Sequence, residues 1–142
     1  MEKIAVIYWS GTGNTAMMAK AVAQGITDAG AEAEVFSVDK FPVGDIDKYS
    51  KLAFGCPSMG DEVLEESEFD PFFEAIEGKL SGKKVALFGS YGWGDGKWMK
   101  DWQDRVESKG AKLYGEGLII NGSPDADGKA LCNNLGKGLV SF

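Results

Sequence analysis

The chain has 142 residues, 44% of them hydrophobic, and 22 acids against 15 bases for a net charge of −7. That fits one domain over 1–142 with a proper core, and its acidity argues against a nucleic acid partner. With no histidine, Ser-His-Asp and Cys-His mechanisms are excluded and the commonest transition-metal ligand is missing.

Lys3 to Trp9 is a continuous apolar run, the kind of strand buried on both faces of a parallel sheet. A glycine-rich turn, Ser10 to Thr15, leads into a helix from near Met17 with Met18, Val22 and Ile26 on its buried face and Gly30 as its stop. Glu34–Val38 reads as a second strand. Phe41 to Ser50, with Pro42 and Gly44, reads as irregular with one short helical turn. Lys51–Cys56 is a third strand, followed by the loop Pro57–Glu62. Asp70 and Pro71 make an N-cap and first-turn pair for a helix with Phe73, Ile76 and Leu80 inward. Val85–Phe88 is a fourth strand, and the loop Gly89–Gly96 follows it. Next comes a helix with Trp98, Trp102 and Val106 on one face, stopped by Gly110. A fifth strand runs from about Leu113 to Ile120, weakened near Gly115 and Gly117, and a last helix buries Leu131, Leu135 and Leu139. Cys56 and Cys132 form no metal motif and read as reduced thiols. No apolar run approaches the roughly 18 residues of a membrane span, and the first residues lack a signal peptide's regions. A cytoplasmic protein is expected, with neither membrane nor metal.

Strands alternating with helices imply an α/β fold of three layers, a doubly wound, five-stranded parallel sheet in the flavodoxin-like order 2-1-3-4-5. The richest loops follow strands 1, 3 and 4, neighbours in that order, so they emerge together at the carboxyl edge near the switch point. Ser10-Gly11-Thr12-Gly13-Asn14-Thr15 presents backbone N–H groups and four hydroxyl or amide side chains where a helix begins. It lacks the lysine of a P-loop, and its hydroxyls are denser than a dinucleotide fingerprint needs. A turn capped for its helix alone would use one such residue; four in six positions suit a terminal phosphate. The loop after the fourth strand leaves Tyr91 or Trp93 free to stack on a planar ring. Met59 either covers the opposite face or caps the core.

These stretches resemble a known family. Tyr8-Trp9 followed by Ser-Gly-Thr-Gly-Asn-Thr is similar to the FMN phosphate loop of bacterial flavodoxins. Met59-Gly60-Asp61-Glu62 and Ser90-Tyr91-Gly92-Trp93-Gly94-Asp95 resemble the two flavin-ring loops of short-chain flavodoxins from anaerobes. The resemblance covers the whole chain. It implies non-covalent FMN, with Trp9 among the cofactor-binding residues, Ser10 to Thr15 at the phosphate, Ser58 to Glu62 and Ser90 to Asp95 about the ring, Trp93 on one face and Met59 on the other. Glu62 is implied to face the ring's N3 side, and the Gly60–Asp61 peptide to turn its carbonyl toward N5 when one electron and a proton arrive; Gly60 tolerates the backbone this needs. The implied activity is low-potential, one-electron carriage between semiquinone and hydroquinone, with no residue acting as acid, base or nucleophile. Asp61, Glu62, Glu65, Glu66 and Glu68 read either as a solvated acidic loop or as a docking surface for basic-rimmed redox enzymes, and a monomer is expected. The alternative is an FMN-dependent NAD(P)H:quinone reductase, for which the chain leaves little room. A receiver domain needs acids that Tyr8-Trp9-Ser10 and Gly55-Cys56-Pro57 do not supply. A structural module without flavin would be colourless.

Overall fold

The computed structural model describes residues 2–142. Its elements run β1 (Lys3–Tyr8), α1 (Asn14–Asp28), β2 (Glu32–Ser37), β3 (Lys51–Gly55), α2 (Phe69–Ile76), β4 (Lys84–Tyr91), α3 (Lys97–Ser108), β5 (Lys112–Leu113), β6 (Leu118–Asn121) and α4 (Ala126–Ser141). The sheet is parallel, in the order β2-β1-β3-β4-β5, with β6 also beside β4. The two-residue alternation of β1 divides its side chains. Ile4 and Val6 pack with α1 and α4, while Ala5 and Ile7 pack with α2 and α3. All four are fully buried. At about 1.5–3 kcal/mol for each large apolar side chain removed from water, this strand anchors both layers.

Several boundaries depart from the sequence reading. The first helix starts at Asn14, three residues before Met17, so the glycine-rich turn abuts it directly. The second strand is Glu32–Ser37; Val38 opens a 3-10 turn, and Val43–Lys48 forms another within the irregular stretch. The fourth strand runs on through Gly89, Ser90 and Tyr91, which pair with Ile119, Ile120 and Asn121 of β6 and so belong to the sheet rather than to a loop. The fifth strand is split: β5 and β6 flank a break at Tyr114–Gly117, where the weakness was expected.

Two corrections have clear causes. Asp70 does not cap α2. The helix begins one residue earlier, and the carboxylate of Glu65 accepts the N–H groups of Glu68 and Phe69 at 2.8 Å each. Asp70 instead meets Arg105 of α3 at 2.6 Å. Leu131 is not buried; it is 53% exposed. The phase of α4 is set by its close approach to α1, where a Cβ on Gly136 would overlap the carbonyl of Val22 and one on Gly25 would overlap that of Asn133. The buried stripe is therefore Gly128, Cys132, Leu135, Gly136 and Leu139.

Candidate functional site

The carboxyl ends of β1, β3 and β4 open on one cavity of about 290 Å³. Trp9 and, from the glycine-rich turn, Ser10, Gly11, Thr12, Asn14 and Thr15 line it. Ser58 and Met59 enter from the loop after β3, and Ser90, Tyr91 and Gly92 from the end of β4. Backbone bonds hold these parts in register. Trp9 N–H donates to Gly55 O at 3.0 Å, Cys56 N–H to Phe88 O at 3.1 Å and Ser58 N–H to Ser90 O at 3.0 Å. The loop after β3 thus runs beside β4 before it turns away.

The glycine-rich turn Ser10–Thr15 keeps several backbone donors unpaired. Gly13 has φ +102, a left-handed conformation that leaves its successors free to start the helix. The hydroxyl of Ser10 turns back and accepts the N–H groups of Gly13 at 3.1 Å and Ala16 at 3.2 Å. Among the described residues the amides of Gly11, Thr12, Asn14 and Thr15 find no acceptor in the chain. Unpaired N–H groups at a helix start form an anion nest. No acid stands in the first turn of α1 to fill it. Thr15 is 1% exposed, and its hydroxyl lies 3.4 Å from that of Ser90.

The loops after β3 and β4 contain both packed and exposed side chains. Tyr91 is set at the end of β4 against Trp98, with ring centroids 5.7 Å apart, so it lines the cavity as a wall. Trp93 is 61% exposed and Met59 37%; Trp93, Gly94 and Asp95 do not line the cavity. Gly60, Asp61 and Glu62 also stand outside it, forming a three-residue turn closed by reciprocal 2.9 Å bonds between Met59 and Val63. Gly60 has φ +52, and an added Cβ would meet open space.

Glu62 combines two unfavourable features. It has φ +58, unusual for a non-glycine residue, and is 8% exposed. Its Oε1 has no partner among the described residues. A buried acceptor without a donor costs about 1–3 kcal/mol, and the left-handed backbone adds about 1–3 kcal/mol. The carboxylate crosses to the other ring loop, where a Cβ on Gly94 would overlap Oε1. An acceptor held at such cost between two loops fits a ligand with an N–H to offer. The residues present therefore fit a phosphate-bearing planar cofactor.

The acidic segment is less uniform than its sequence. Asp61, Glu66 and Glu68 are exposed, but Glu62 and Glu65 are buried. Glu65 accepts Ser67 N–H at 2.8 Å and the Ser67 hydroxyl, besides its two bonds to the start of α2. Burial pushes its carboxyl up, yet these donors outweigh that and hold it below the usual carboxylate range. Cys56 lies beneath, where burial pushes its thiol far up and its Sγ accepts Glu65 N–H at 3.4 Å. Sequence reasoning missed two lining residues, Pro57 and Gly122. Pro57 stood in the loop already singled out. Gly122 comes from the turn after β6, and nothing in its sequence marked it.

The fold and the crevice define a doubly wound α/β protein with an anion-binding loop at its switch point. Comparison with known proteins is specific. The family model for flavodoxin matches residues 6–135. The flavodoxin of Clostridium beijerinckii is 46% identical over 137 residues, covering 96% of this chain and 99% of that one. The flavodoxin of Megasphaera elsdenii is 43% identical over 134 residues, covering 94% and 96%. The solution structure of two-electron reduced Megasphaera elsdenii flavodoxin superposes with a TM-score of 0.89, at 41% identity over 98% of this chain and 99% of that one. The chain belongs to the flavodoxin family, FMN-binding electron carriers that work with partner enzymes. The quinone reductase alternative gains no support from these relatives. Among the described residues no helix is long and apolar enough to cross a membrane.

Proposed function

We propose that this single domain is a cytoplasmic, monomeric one-electron carrier of low potential, with no substrate turnover of its own, and that its FMN sits in the cavity between the phosphate loop and the two ring loops. The observation that carries the reading is the set of unpaired amides at Gly11, Thr12, Asn14 and Thr15. Thr12 and Asn14 add side-chain donors beside them. Bound there, FMN supplies reversible one-electron chemistry. The chain's part is to bind, orient and tune. Ser58 and Met59 before the third-strand turn, with Gly60, Asp61 and Glu62 within it, form one side of the ring site. Ser90, Tyr91, Gly92, Trp93, Gly94 and Asp95 form the other, Tyr91 as the fixed wall and Trp93 as the movable cover. The Glu62 carboxylate accepts a ring N–H, which relieves its unpaired Oε1. A chain of net charge −7, with a carboxylate at the ring, disfavours adding negative charge and keeps the reduced form a strong donor. Asp61 within the ring loop and Glu66 just after it, both exposed, attract basic-rimmed redox enzymes.

The phosphate assignment is tested by fluorescence titration with FMN and with riboflavin, which lacks the phosphate. FMN is expected to bind far more tightly, and Thr12→Ala to weaken FMN by about 0.5–3 kcal/mol while leaving riboflavin unchanged. Equal affinity for the two flavins refutes the assignment.

A further inference from the structure

Glu68 has a neighbour that a docking charge does not need. Its Oε1 accepts the indole N–H of Trp9 at 3.1 Å. The far edge of that indole lies on the phosphate loop, where a Cβ added to Gly11 would stand 3.1 Å from Trp9 Cη2 and 3.3 Å from Cζ3. The backbone of Trp9 is tied to β3 through Gly55, so the ring is the part that Glu68 holds. Glu68 is itself placed by Glu65, whose carboxylate takes the Glu68 N–H at 2.8 Å. A continuous path therefore runs from the cap of α2 through Glu68 and Trp9 to Gly11.

We infer that Glu68 is a positioning residue for the phosphate loop, acting through Trp9 rather than as a docking charge; the inference rests on reading that loop as the phosphate site. Electrostatics alone would not place a carboxylate here. Glu68 lines a second cavity, of about 480 Å³, together with Ser10, Gly11, Thr12 and Gly13, so its charge opposes a phosphate on the same loop. What it contributes in return is a charge-assisted bond that fixes the ring over Gly11. With Glu62 and Glu65 buried and Glu68 engaged, Asp61 and Glu66 remain for a partner. A basic group that captured Glu68 would release Trp9, and docking at this carboxylate would loosen the grip on phosphate.

Charge and positioning predict opposite signs, and two variants separate them. Glu68→Gln keeps an acceptor for the indole and removes the repulsion. Glu68→Ala removes both. Holoprotein is diluted and released FMN is followed by recovery of free-flavin fluorescence; riboflavin complexes are measured in parallel. The Gln variant should hold FMN at least as tightly as the parent, and the Ala variant roughly three- to tenfold more weakly than the Gln variant. Riboflavin affinity should be the same in both. Trp9→Phe, which keeps a ring but has no N–H, should abolish the difference between Gln and Ala at position 68. Equal FMN affinity in the two Glu68 variants with Trp9 intact overturns the inference, because Glu68 then acts only through its charge. Parallel loss of FMN and riboflavin in the Ala variant also overturns it, since the effect is then on the fold in general. Equal binding of FMN and riboflavin by the parent protein would be a different failure, that of the phosphate reading itself.

Discussion

Replacing Glu65 by alanine should destabilise the protein in a way no surface acid could. The side chain is 5% exposed and receives three backbone N–H groups, from Ser67, Glu68 and Phe69, each at 2.8 Å. Loss of a helix cap costs about 0.5–2 kcal/mol, and a buried amide left without an acceptor about 1–3 kcal/mol. The segment lies at the surface, so water can reach part of what is freed, and a net loss of about 2–3 kcal/mol is expected at pH 7. That is a large share of the 5–15 kcal/mol typical of a whole domain. The pH dependence has a definite sign. The folded carboxyl titrates below its ordinary value, so its stabilisation is complete above the unfolded value of about 4.3 and is lost as pH falls through the folded one. Urea unfolding of parent and variant at constant excess FMN should show the full difference at pH 7 and 6 and a shrinking one below about pH 4. A difference under about 0.5 kcal/mol at pH 7, the size of an ordinary surface substitution, would refute the capping role. So would a difference that stays constant on acidification.

Gly60→Thr should keep FMN bound, since the loop donors are untouched, but a β-branched residue at φ +52 is strained by about 1–3 kcal/mol. If the Gly60–Asp61 peptide turns on reduction, spectroelectrochemical titration should show the first one-electron potential becoming more negative; an unchanged value means the peptide stays where it is. For docking, joint replacement of Asp61 by Asn and Glu66 by Gln should flatten the salt dependence of electron transfer to a basic partner as the Debye length falls to about 8 Å. Stopped-flow rates with the parent's full salt dependence would place the docking face elsewhere.

The sheet and its order follow from patterns the chain displays openly. β1 is an unbroken apolar run, glycines interrupt the fifth strand where it splits, and hydrophilic loops follow each central strand. What the sequence conceals is set by partners far along the chain. Leu131 falls in step with Leu135 and Leu139, yet α4 is turned by glycine contacts with α1 that no periodicity in α4 reveals. Asp70 before Pro71 has the form of a cap, while the cap comes from Glu65, buried in what reads as a solvated acidic run. In the site, the glycine-rich turn at the start of α1 was plain because it is local: strand, turn and helix adjoin in sequence. Tyr91 was harder, since only its pairing with Asn121 shows that β4 continues through it. Gly122 could not be placed without the turn that carries it there.

The donors of the Ser10–Thr15 turn are amides, hydroxyls and one carboxamide, and the first basic side chain after it is Lys20. None of these donors gains or loses a proton near neutrality. A loop built on lysine or histidine would lend its own titration to the strength of binding; this one is electrically constant. With FMN held there as proposed, the proton that matters belongs to the guest, whose phosphate sheds its second proton near pH 6. Any change in the phosphate loop's hold between pH 5 and 7 should then track the phosphate of FMN, so that this loop acts as a fixed scale on which the ligand's charge is weighed.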